Sequence, residues 1–307
     1  MSGLDAQVEA SWMLDSRLRA GHLEIILPNG RRLRLSGKND GPSAVLNLNR
    51  WRGLRRFFGG GTVGFGESYM DGDWDSPDLP KVIELAARNL PKRPMAFRTL
   101  SPWRLADRMR HVFRPNTHAG SRENIAAHYD LGNDMFQLFL DKTMTYSSGV
   151  FLNEQSTLEE ASIEKLDRIC RKLDLQSHHK LIEIGSGWGS FSIHAAKNYG
   201  CHVTTITISK EQYALAKERI AEQGLTHLID IRLCDYRDLT GKYDKLVSIE
   251  MIEAVGDEFL SPYFSSCASL LKEDGQMLIQ AITMPDQRYK QYLKSSDFIQ
   301  QFIFPGS

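Results

Sequence analysis

The sequence predicts a doubly wound α/β fold built on a parallel sheet, preceded by a smaller α+β unit. Three observations predict it. Residues 180–190, Lys-Leu-Ile-Glu-Ile-Gly-Ser-Gly-Trp-Gly-Ser, read as a short apolar strand over 181–184 that ends in a glycine turn and opens a helix over 191–198. An apolar run of that length bounded by glycine suits a strand buried on both faces. From residue 123 onward, strand-length apolar runs alternate with helix-length amphipathic stretches, the order that winds helices over a parallel sheet. The first ninety residues follow another pattern, strand, turn, strand, with Pro28-Asn29-Gly30 at the turn.

Composition bounds the rest. A length of 307 residues suggests two domains. The chain is 41% hydrophobic and 25% charged, with 38 basic residues against 38 acidic ones. Zero formal net charge argues against a general nucleic-acid binder. Cys170, Cys201, Cys234 and Cys267 are widely spaced, with no C-x-x-C. They fit buried, reduced thiols of a cytoplasmic protein better than a disulfide framework or a zinc site. The start of the chain lacks the basic region and apolar core of an export signal. No run approaches the roughly 18 to 20 apolar residues that span a bilayer. A soluble protein is expected.

In the first unit, residues 1–90, strands are expected at 22–27, 32–35 and 44–48, and helices at 50–58 and 78–90. The first helix bears Arg52, Arg55 and Arg56. The intervening 59–74 is rich in glycine and aromatics and suggests no element of its own. Residues 91–122 form a connector in which Lys92, Arg93, Arg98, Arg104, Arg108, Arg110, Arg114 and Arg122 meet a single acid, Asp107. Met95, Phe97, Trp103, Met109 and Phe113 are interleaved with them. Such a stretch suits an anionic membrane surface, where each basic residue contributes about 1 kcal/mol and the aromatics enter the headgroup boundary. A solvated linker whose aromatics pack on a neighbouring domain fits equally well. The third unit, 123–307, begins with a helix over 125–140 broken at Gly132-Asn133. A long helix over 158–173 follows, capped by Ser156 or Thr157 with Glu159 and Glu160 in its first turn. Strands are then expected at 180–184, 202–208, 228–233, 244–250 and 276–283, with helices at 191–199, 210–222 and 257–271.

Ligands of open α/β sheets bind beyond the carboxyl ends of the strands. Those ends carry Gly185, Gly187 and Gly189, then Thr207 and Ser209, Asp235 and Tyr236, Glu250 and Glu253, and Gln280 to Thr283. The glycines spell G-x-G-x-G, whereas the dinucleotide fingerprint places its third glycine where this chain has Ser190. That favours a nucleoside without a pyrophosphate, such as S-adenosylmethionine, cradled where backbone and ligand approach closely. A tight strand-to-helix turn with no ligand is the alternative. Tyr236 is placed to stack on a purine and Asp235 to accept from an amino group. Ser209 reads equally as the cap of the helix over 210–222. Glu253, in an otherwise apolar stretch, must be paired or shifted in pKa, the mark of a working acid or base or of a structural ion pair. Glu250 competes with it for the strand end. His128 reads as a capping or packing residue, and no cluster has metal-ligand spacing.

Together these residues resemble the cyclopropane-fatty-acyl-phospholipid synthases, including the mycolic acid cyclopropane synthases. The matching pieces are Ala127-His-Tyr-Asp-Leu-Gly-Asn-Asp134 with Phe136, Thr145-Tyr-Ser147, residues 181–189, Thr207-Ile-Ser-Lys-Glu-Gln212, Asp235-Tyr-Arg-Asp-Leu239 and Phe302-Ile-Phe-Pro-Gly306. Gly64-Phe-Gly-Glu-Ser-Tyr-Met-Asp71 resembles the N-terminal domain of the bacterial phospholipid branch, so the likeness runs from about residue 60 to the end. It implies a class I methyltransferase (Rossmann-like) sheet and methyl transfer from S-adenosylmethionine to a cis double bond of a phospholipid acyl chain. In the family a bound bicarbonate then removes a proton to close the ring. The family pattern puts Tyr146, Ser147, Leu181, Glu183, Gly185, Gly187, Gly189, Thr207, Ser209, Gln212, Asp235, Tyr236 and Arg237 at the cofactor, and Glu253 at the bicarbonate.

The sequence departs from that pattern at three places. The family's Cys after Tyr-Ser is Ser148, its Glu-His is Glu253-Ala254, and its bicarbonate-binding His is Gln280, while Ile282 keeps its type. Glutamine donates a hydrogen bond but carries no proton. Methyl transfer is therefore expected, with a cyclopropane fatty acid as the product and a methyl-branched or methylated unsaturated chain, formed without ring closure, as the alternative. The resemblance also implies two more strands beyond this Phe-Pro-Gly stretch, so the sheet is expected to be C-terminally incomplete and the chain a fragment. The expected partner is an unsaturated phospholipid at an anionic membrane surface, the inner leaflet of the cell membrane, with no nucleic acid and with a homodimer as one candidate assembly. A methyltransferase for soluble small molecules and a non-catalytic lipid-binding module are the competing readings.

Overall fold

A computed structural model describes residues 18–89, 132–292 and 297–303. The chain forms two compact units, Met1–Met109 and Arg110–Ser307. The basic connector at 91–122, His128 and the Pro-Gly of the C-terminal motif lie outside the described residues.

The first unit is a four-stranded sheet whose apolar side chains pack in one cluster with those of two helices. Strands β1 (Ala20–Ile26) and β2 (Arg32–Ser36) form the expected antiparallel hairpin, with Leu23 opposite Leu35. Strand β3 (Asn39–Leu48) pairs parallel to β1 on its other side and antiparallel to β4 (Trp74–Asp75), giving the order β2-β1-β3-β4. That crossover is tight: a Cβ on Gly37 would lie 2.5 Å from the backbone nitrogen of Ala20. Helix α1 spans Arg52–Met70 and therefore takes in the glycine-rich stretch, to which the sequence suggested no element. Glycine disfavours a helix by about 1 kcal/mol per residue. Gly61 indeed leaves helical geometry (φ 58°, ψ −138°). Beyond that kink, burial outweighs propensity: Phe65 stacks on Trp74 at 4.5 Å and the Trp74 indole donates to Ser68 Oγ at 3.0 Å. Strand β4 (Trp74–Asp75) closes the sheet and α2 (Leu79–Asn89) buries Val82 and Leu85. Arg52 and Arg56 of α1 turn toward acids. Asp73, fully buried, accepts from Arg52 Nε at 2.9 Å and Nη2 at 2.9 Å, with Arg56 3.6 Å away.

The second unit carries the parallel sheet. Helix α3 (Asn133–Gln137) is the described remnant of the long helix expected over 125–140, and it opens only at Gly132, whose φ of 80° ends any continuous helix there. Helix α4 (Leu158–Lys172) starts on a full capping box, in which Thr157 Oγ1 accepts from the Glu160 amide and Glu160 reaches back to the Thr157 amide. Then follow β5 (Lys180–Ile184), α5 (Ser190–Tyr199), β6 (His202–Thr207), α6 (Lys210–Glu222), β7 (Ile229–Leu233), β8 (Tyr243–Ile249), α7 (Leu260–Leu270) and β9 (Leu271–Gln280). A 3-10 turn at Asp257–Phe259 takes the first turn of the helix expected over 257–271. The described strands are all parallel, in the order β7-β6-β5-β8-β9. Short helices α8 (Asp286–Tyr292) and α9 (Phe298–Phe302) follow.

Alternation along the strands fills both faces. Leu181, Val203 and Val247 pack with Leu166, Ile169, Phe191 and Ile220 from α4, α5 and α6. Ile182, Ile184, Ile206 and Leu246 pack with Tyr263, Cys267 and Leu270 from α7. Helices on both faces are the doubly wound arrangement that the strand–helix alternation predicts. The four cysteines are free thiols, and burial pushes Cys201 and Cys267 up to about 11. Among the described residues no helix is long and apolar enough to cross a membrane.

Asp73 anchors the first unit through charge-assisted hydrogen bonds, each contributing about 1.5–3 kcal/mol. Replacing Asp73 by Ala is expected to lower that unit's unfolding free energy by about 2–3 kcal/mol, read as a lower denaturant midpoint at unchanged slope. An unaltered midpoint would show that the exposed arginines draw nothing from the buried carboxylate.

Candidate active site at the carboxyl ends of the parallel strands

The glycine turn after β5 is left-handed three times over, with φ of 96° at Gly185, 49° at Gly187 and 84° at Gly189. A Cβ on Gly185 would sit 3.2 Å from the Met251 side chain, whereas one on Gly187 would meet nothing within 4 Å. The turn is held from behind: the amides of Gly185 and Ser186 donate to the Ile206 carbonyl at 3.1 and 2.7 Å. Trp188, 1% exposed, donates through Nε1 to Asn133 Oδ1 at 2.7 Å and packs its ring on Phe136. Arg219, from α6, donates to the carbonyls of Trp188 (2.6 Å) and Thr143 (2.9 Å), and Ser190 Oγ donates to the same Thr143 carbonyl. Residues 132–148 are thereby fastened over the turn. Neither Trp188 nor Arg219 was singled out from the sequence; the Trp lay inside the motif, while nothing local marked the Arg.

A cavity of about 780 Å³ opens there. Of the residues expected at a cofactor, Tyr146, Ser147, Glu183, Gly185 and Gly187 line it, as do Thr207, Gln212, Asp235, Tyr236 and Arg237. Three do not. Leu181 is fully buried in the core behind the turn, and Gly189 serves as the N-cap of α5 with its Cβ position 3.3 Å from Ala216. Ser209 caps α6, accepting from the Gln212 amide at 3.3 Å, the alternative its sequence context offered. Thr207 Oγ1 donates to Gln212 Oε1 at 2.8 Å, so the end of β6 is locked to the start of α6. Asp235, 2% exposed, is engaged by Arg237, whose Nε and Nη2 donate to its two oxygens at 2.8 and 2.6 Å. The Tyr236 ring stands edge-on to Tyr263, with the Arg237 guanidinium 5.5 Å from its centroid.

The four residues expected at the reacting end converge. Gln280 Nε2 faces Ser147 Oγ (3.1 Å), Ser148 Oγ (3.0 Å) and Glu250 Oε1 (2.8 Å). Glu253 Oε1 accepts from the Ile282 amide at 2.5 Å, while its buried Oε2 has no partner among the described residues. The side chain of Ile282 itself is exposed. Glu250 proves central rather than secondary. Its φ of 47° is left-handed, rare for a residue with a side chain. Its amide donates to the Gln280 carbonyl at 2.8 Å, and its carboxylate reaches Gln280 and Ser148. Burial and the Glu250 charge together raise the Tyr146 phenol.

Two buried ionisable groups form the floor. Glu183, 1% exposed, accepts from Thr205 Oγ1 at 2.6 Å, and burial pushes its carboxyl up to about 8. Lys165, 3% exposed, is pushed down to about 8 by burial, partly offset by Glu250, Asp141 and Glu183. Lys165 escaped the sequence reading, although its phase on the inward face of α4, with Ala161, Leu166 and Ile169, was legible. Among the described residues no group of His, Cys, Asp and Glu is arranged to hold a metal.

The profile of the family described as mycolic acid cyclopropane synthetase matches residues 116–307. The chain belongs to that family. It is 40% identical over 280 residues to a tuberculostearic acid methyltransferase of Mycobacterium tuberculosis, covering 88% of this chain and 65% of that protein. It is 37% identical over 186 residues to a probable fatty acid methyltransferase of Pseudomonas putida, covering 60% and 47%. With the cyclopropane-fatty-acyl-phospholipid synthase of Escherichia coli it shares 35% over 255 residues, covering 82% and 63%. The chain thus spans under two thirds of the length of these curated relatives. Among solved structures, a cyclopropane synthase of Mycobacterium tuberculosis superposes with a TM-score of 0.56 at 34% identity, over 61% of this chain and 68% of that one. A mycolic acid cyclopropane synthase complexed with SAH and CTAB matches with the same values. The sheet is therefore a class I methyltransferase sheet, and the family uses S-adenosylmethionine. The cavity suits that molecule, with an open face at Gly187 and an acidic wall for a sulfonium.

The Glu183 carboxyl generates a pH-dependent stability. Its folded value of about 8 lies above the ordinary 4.5, so its contribution is complete below 4.5 and lost as the pH rises to about 8. The variant Glu183→Gln keeps an acceptor for Thr205 and is expected to flatten the decline in melting temperature across that window. Parallel curves for variant and wild type would mean that Glu183 does not hold its proton on folding.

Proposed function

We propose that this chain methylates an unsaturated fatty acyl chain using S-adenosylmethionine, with Glu250 taking the proton that must leave and with the alkene retained in the product. The observation that carries the reading is Glu250 itself, a left-handed carboxylate held against Gln280 and Ser148 inside the cavity. Strained backbone that persists on a non-glycine residue concentrates at functional sites.

When bound, S-adenosylmethionine supplies an electrophilic methyl group. The residues proposed to hold it are Tyr146 and Ser147, the turn at Gly185 and Gly187, the Thr207–Gln212 pair, and Tyr236 beside the Asp235–Arg237 ion pair. An alkene is a weak nucleophile, so the remaining wall must hold it close and dry. Leu140, Met144, Ile184 and Met251 provide that apolar surface. A methyl added to one alkene carbon leaves a positive charge on the other, and neutrality returns when a carbon-bound proton departs. Loss from the added methyl closes a ring; loss from the chain restores an alkene. Both products gain one CH2. A bicarbonate fits poorly here. The Gln280 amide and the Ser148 hydroxyl already serve Glu250, the Ile282 amide serves Glu253, and two carboxylates would face the incoming anion. A carboxylate of the chain is the better-supported base. Two of the relatives, at 40% and 37% identity, bear the names of fatty-acid-type methyltransferases rather than of cyclopropane synthases, which supports methyl transfer to an acyl chain. An anionic membrane surface is the proposed setting, met by the basic aromatic residues of 91–122, and the phospholipid ester the proposed form of the substrate.

Incubation with isotopically labelled S-adenosylmethionine and vesicles of a monounsaturated phospholipid, followed by release of the fatty acids, tests the reading. A gain of one CH2 with the alkene retained is expected, and Glu250→Gln should lower turnover about 100-fold or more. A saturated ring product would overturn the branching assignment. Absence of labelled lipid while the protein binds the cofactor would overturn the lipid substrate.

A further inference from the structure

The cavity holds a cation for which the proposed chemistry has no use. Lys165 projects from the inward face of α4, is 97% buried by its 3% exposure, and lines the cavity together with Glu183 and the glycine turn. Its Nζ makes no hydrogen bond among the described residues. A buried ammonium with three unmade hydrogen bonds is costly, and the cost is relieved when an acceptor arrives. The protein supplies none. Asp141, Glu183 and Glu250 favour its charged form without hydrogen-bonding to it.

Several other donors beside the turn are already engaged. Arg237, the second cation of the lining, donates to both oxygens of Asp235. The amides of Gly185, Ser186 and Gly189 serve the Ile206 and Ser186 carbonyls. Gln280 serves Glu250. S-adenosylmethionine carries two cationic groups, its sulfonium and its α-ammonium, which suit the Glu250 and Glu253 side of the wall. It carries one anion, the carboxylate of its amino-acid tail. We infer that Lys165 receives that carboxylate, forming the charge-assisted contact that its buried ammonium lacks. The inference rests on reading the cavity as the S-adenosylmethionine site. It makes Lys165 a binding residue that discriminates the intact amino-acid tail from nucleosides without one.

The test measures binding rather than turnover, by calorimetry with S-adenosylhomocysteine and with its decarboxylated analogue, which keeps the amine and lacks only the carboxylate. The wild type is expected to prefer S-adenosylhomocysteine by about tenfold or more, as a charge-assisted hydrogen bond provides. Lys165→Met should lose that preference and bind both ligands about equally, while its ligand-free melting temperature stays level or rises, since an uncompensated buried charge has been removed. Lys165→Arg should keep part of the preference. A wild type that binds both ligands equally overturns the inference without any variant. So does a Lys165→Met protein that still prefers the carboxylate, or one that loses affinity for both ligands alike. Failure of the wild type to bind either ligand overturns the cofactor reading instead.

Discussion

The left-handed turn between β5 and α5 is the constraint on which the rest of the second unit depends. Three residues with positive φ within five positions are open only to glycine at acceptable cost, since each residue with a Cβ would forfeit about 1–2 kcal/mol. The turn does more than clear space. Its amides bind the Ile206 carbonyl and so fix the end of β5 to the end of β6. Its Trp188 ring is the seat for Phe136 and Asn133, and its Trp188 carbonyl shares the Arg219 guanidinium with Thr143. One side chain of α6 therefore joins the turn to residues that precede it by more than forty positions. Burial works against the charge of that guanidinium, which three carbonyl contacts in a confined space help to offset.

The second organising feature is the register of β8 against β9. Ile249 pairs with Gln280, so the residue after each strand emerges side by side. Glu250 turns left-handed there, and its amide still finds the Gln280 carbonyl, which recovers part of the strain. The Gln280 side chain then bridges from Glu250 to Ser147 and Ser148, joining segments 133 positions apart in sequence. A histidine at 280 would offer one ring nitrogen to such a bridge and a transferable proton. A glutamine offers two N–H groups and no proton, and all the contacts its nitrogen makes are to oxygen acceptors already on the protein.

Much of this was legible in the sequence because it is local. Apolar period, the Pro-Asn-Gly turn and the cap residues fixed the hairpin, the five parallel strands and most helices within a few residues. The cap at Ser209 was foreseen as an alternative and proved to be the one the backbone adopts. The misses have tertiary causes. Residues 62–70 are helical because Phe65 and Ser68 bury against Trp74, which no window over those glycines reveals. Leu181 and Gly189 belong to the motif yet face the core and α6, because a motif marks a backbone path and not a lining. Glu250 was named only as a competitor of Glu253, since a glutamate in a left-handed conformation carries no local signature. Lys165 is different: its position in the apolar phase of α4 was available, and a lysine there is the kind of local conflict that marks a site.

Both acids proposed for the reacting end come from one short stretch, and the strand end at 280–282 holds both. Gln280 holds Glu250 by its side chain, while the Ile282 amide holds Glu253, with a 3-10 turn at Ile252–Ala254 separating them. Family membership cannot decide between ring and branch, because both products share one methyl addition and differ only in which proton leaves. That choice belongs to the position of the base. A base carried on the backbone at residue 250 is fixed with the sheet, whereas a bound anion is placed by whatever donors surround it. Here Gln280 Nε2 and the Ile282 amide already donate to protein carboxylates, and on the proposed reading the geometry of β8 and β9 selects the proton. Burial also sets the floor of the cavity, raising the Glu183 carboxyl and lowering the Lys165 ammonium, whose Nζ has no hydrogen bond among the described residues. On the proposed reading, acids opposite an ammonium that has no hydrogen bond among the described residues match a ligand with two positive groups and one negative, the occupant that the glycine turn also suits.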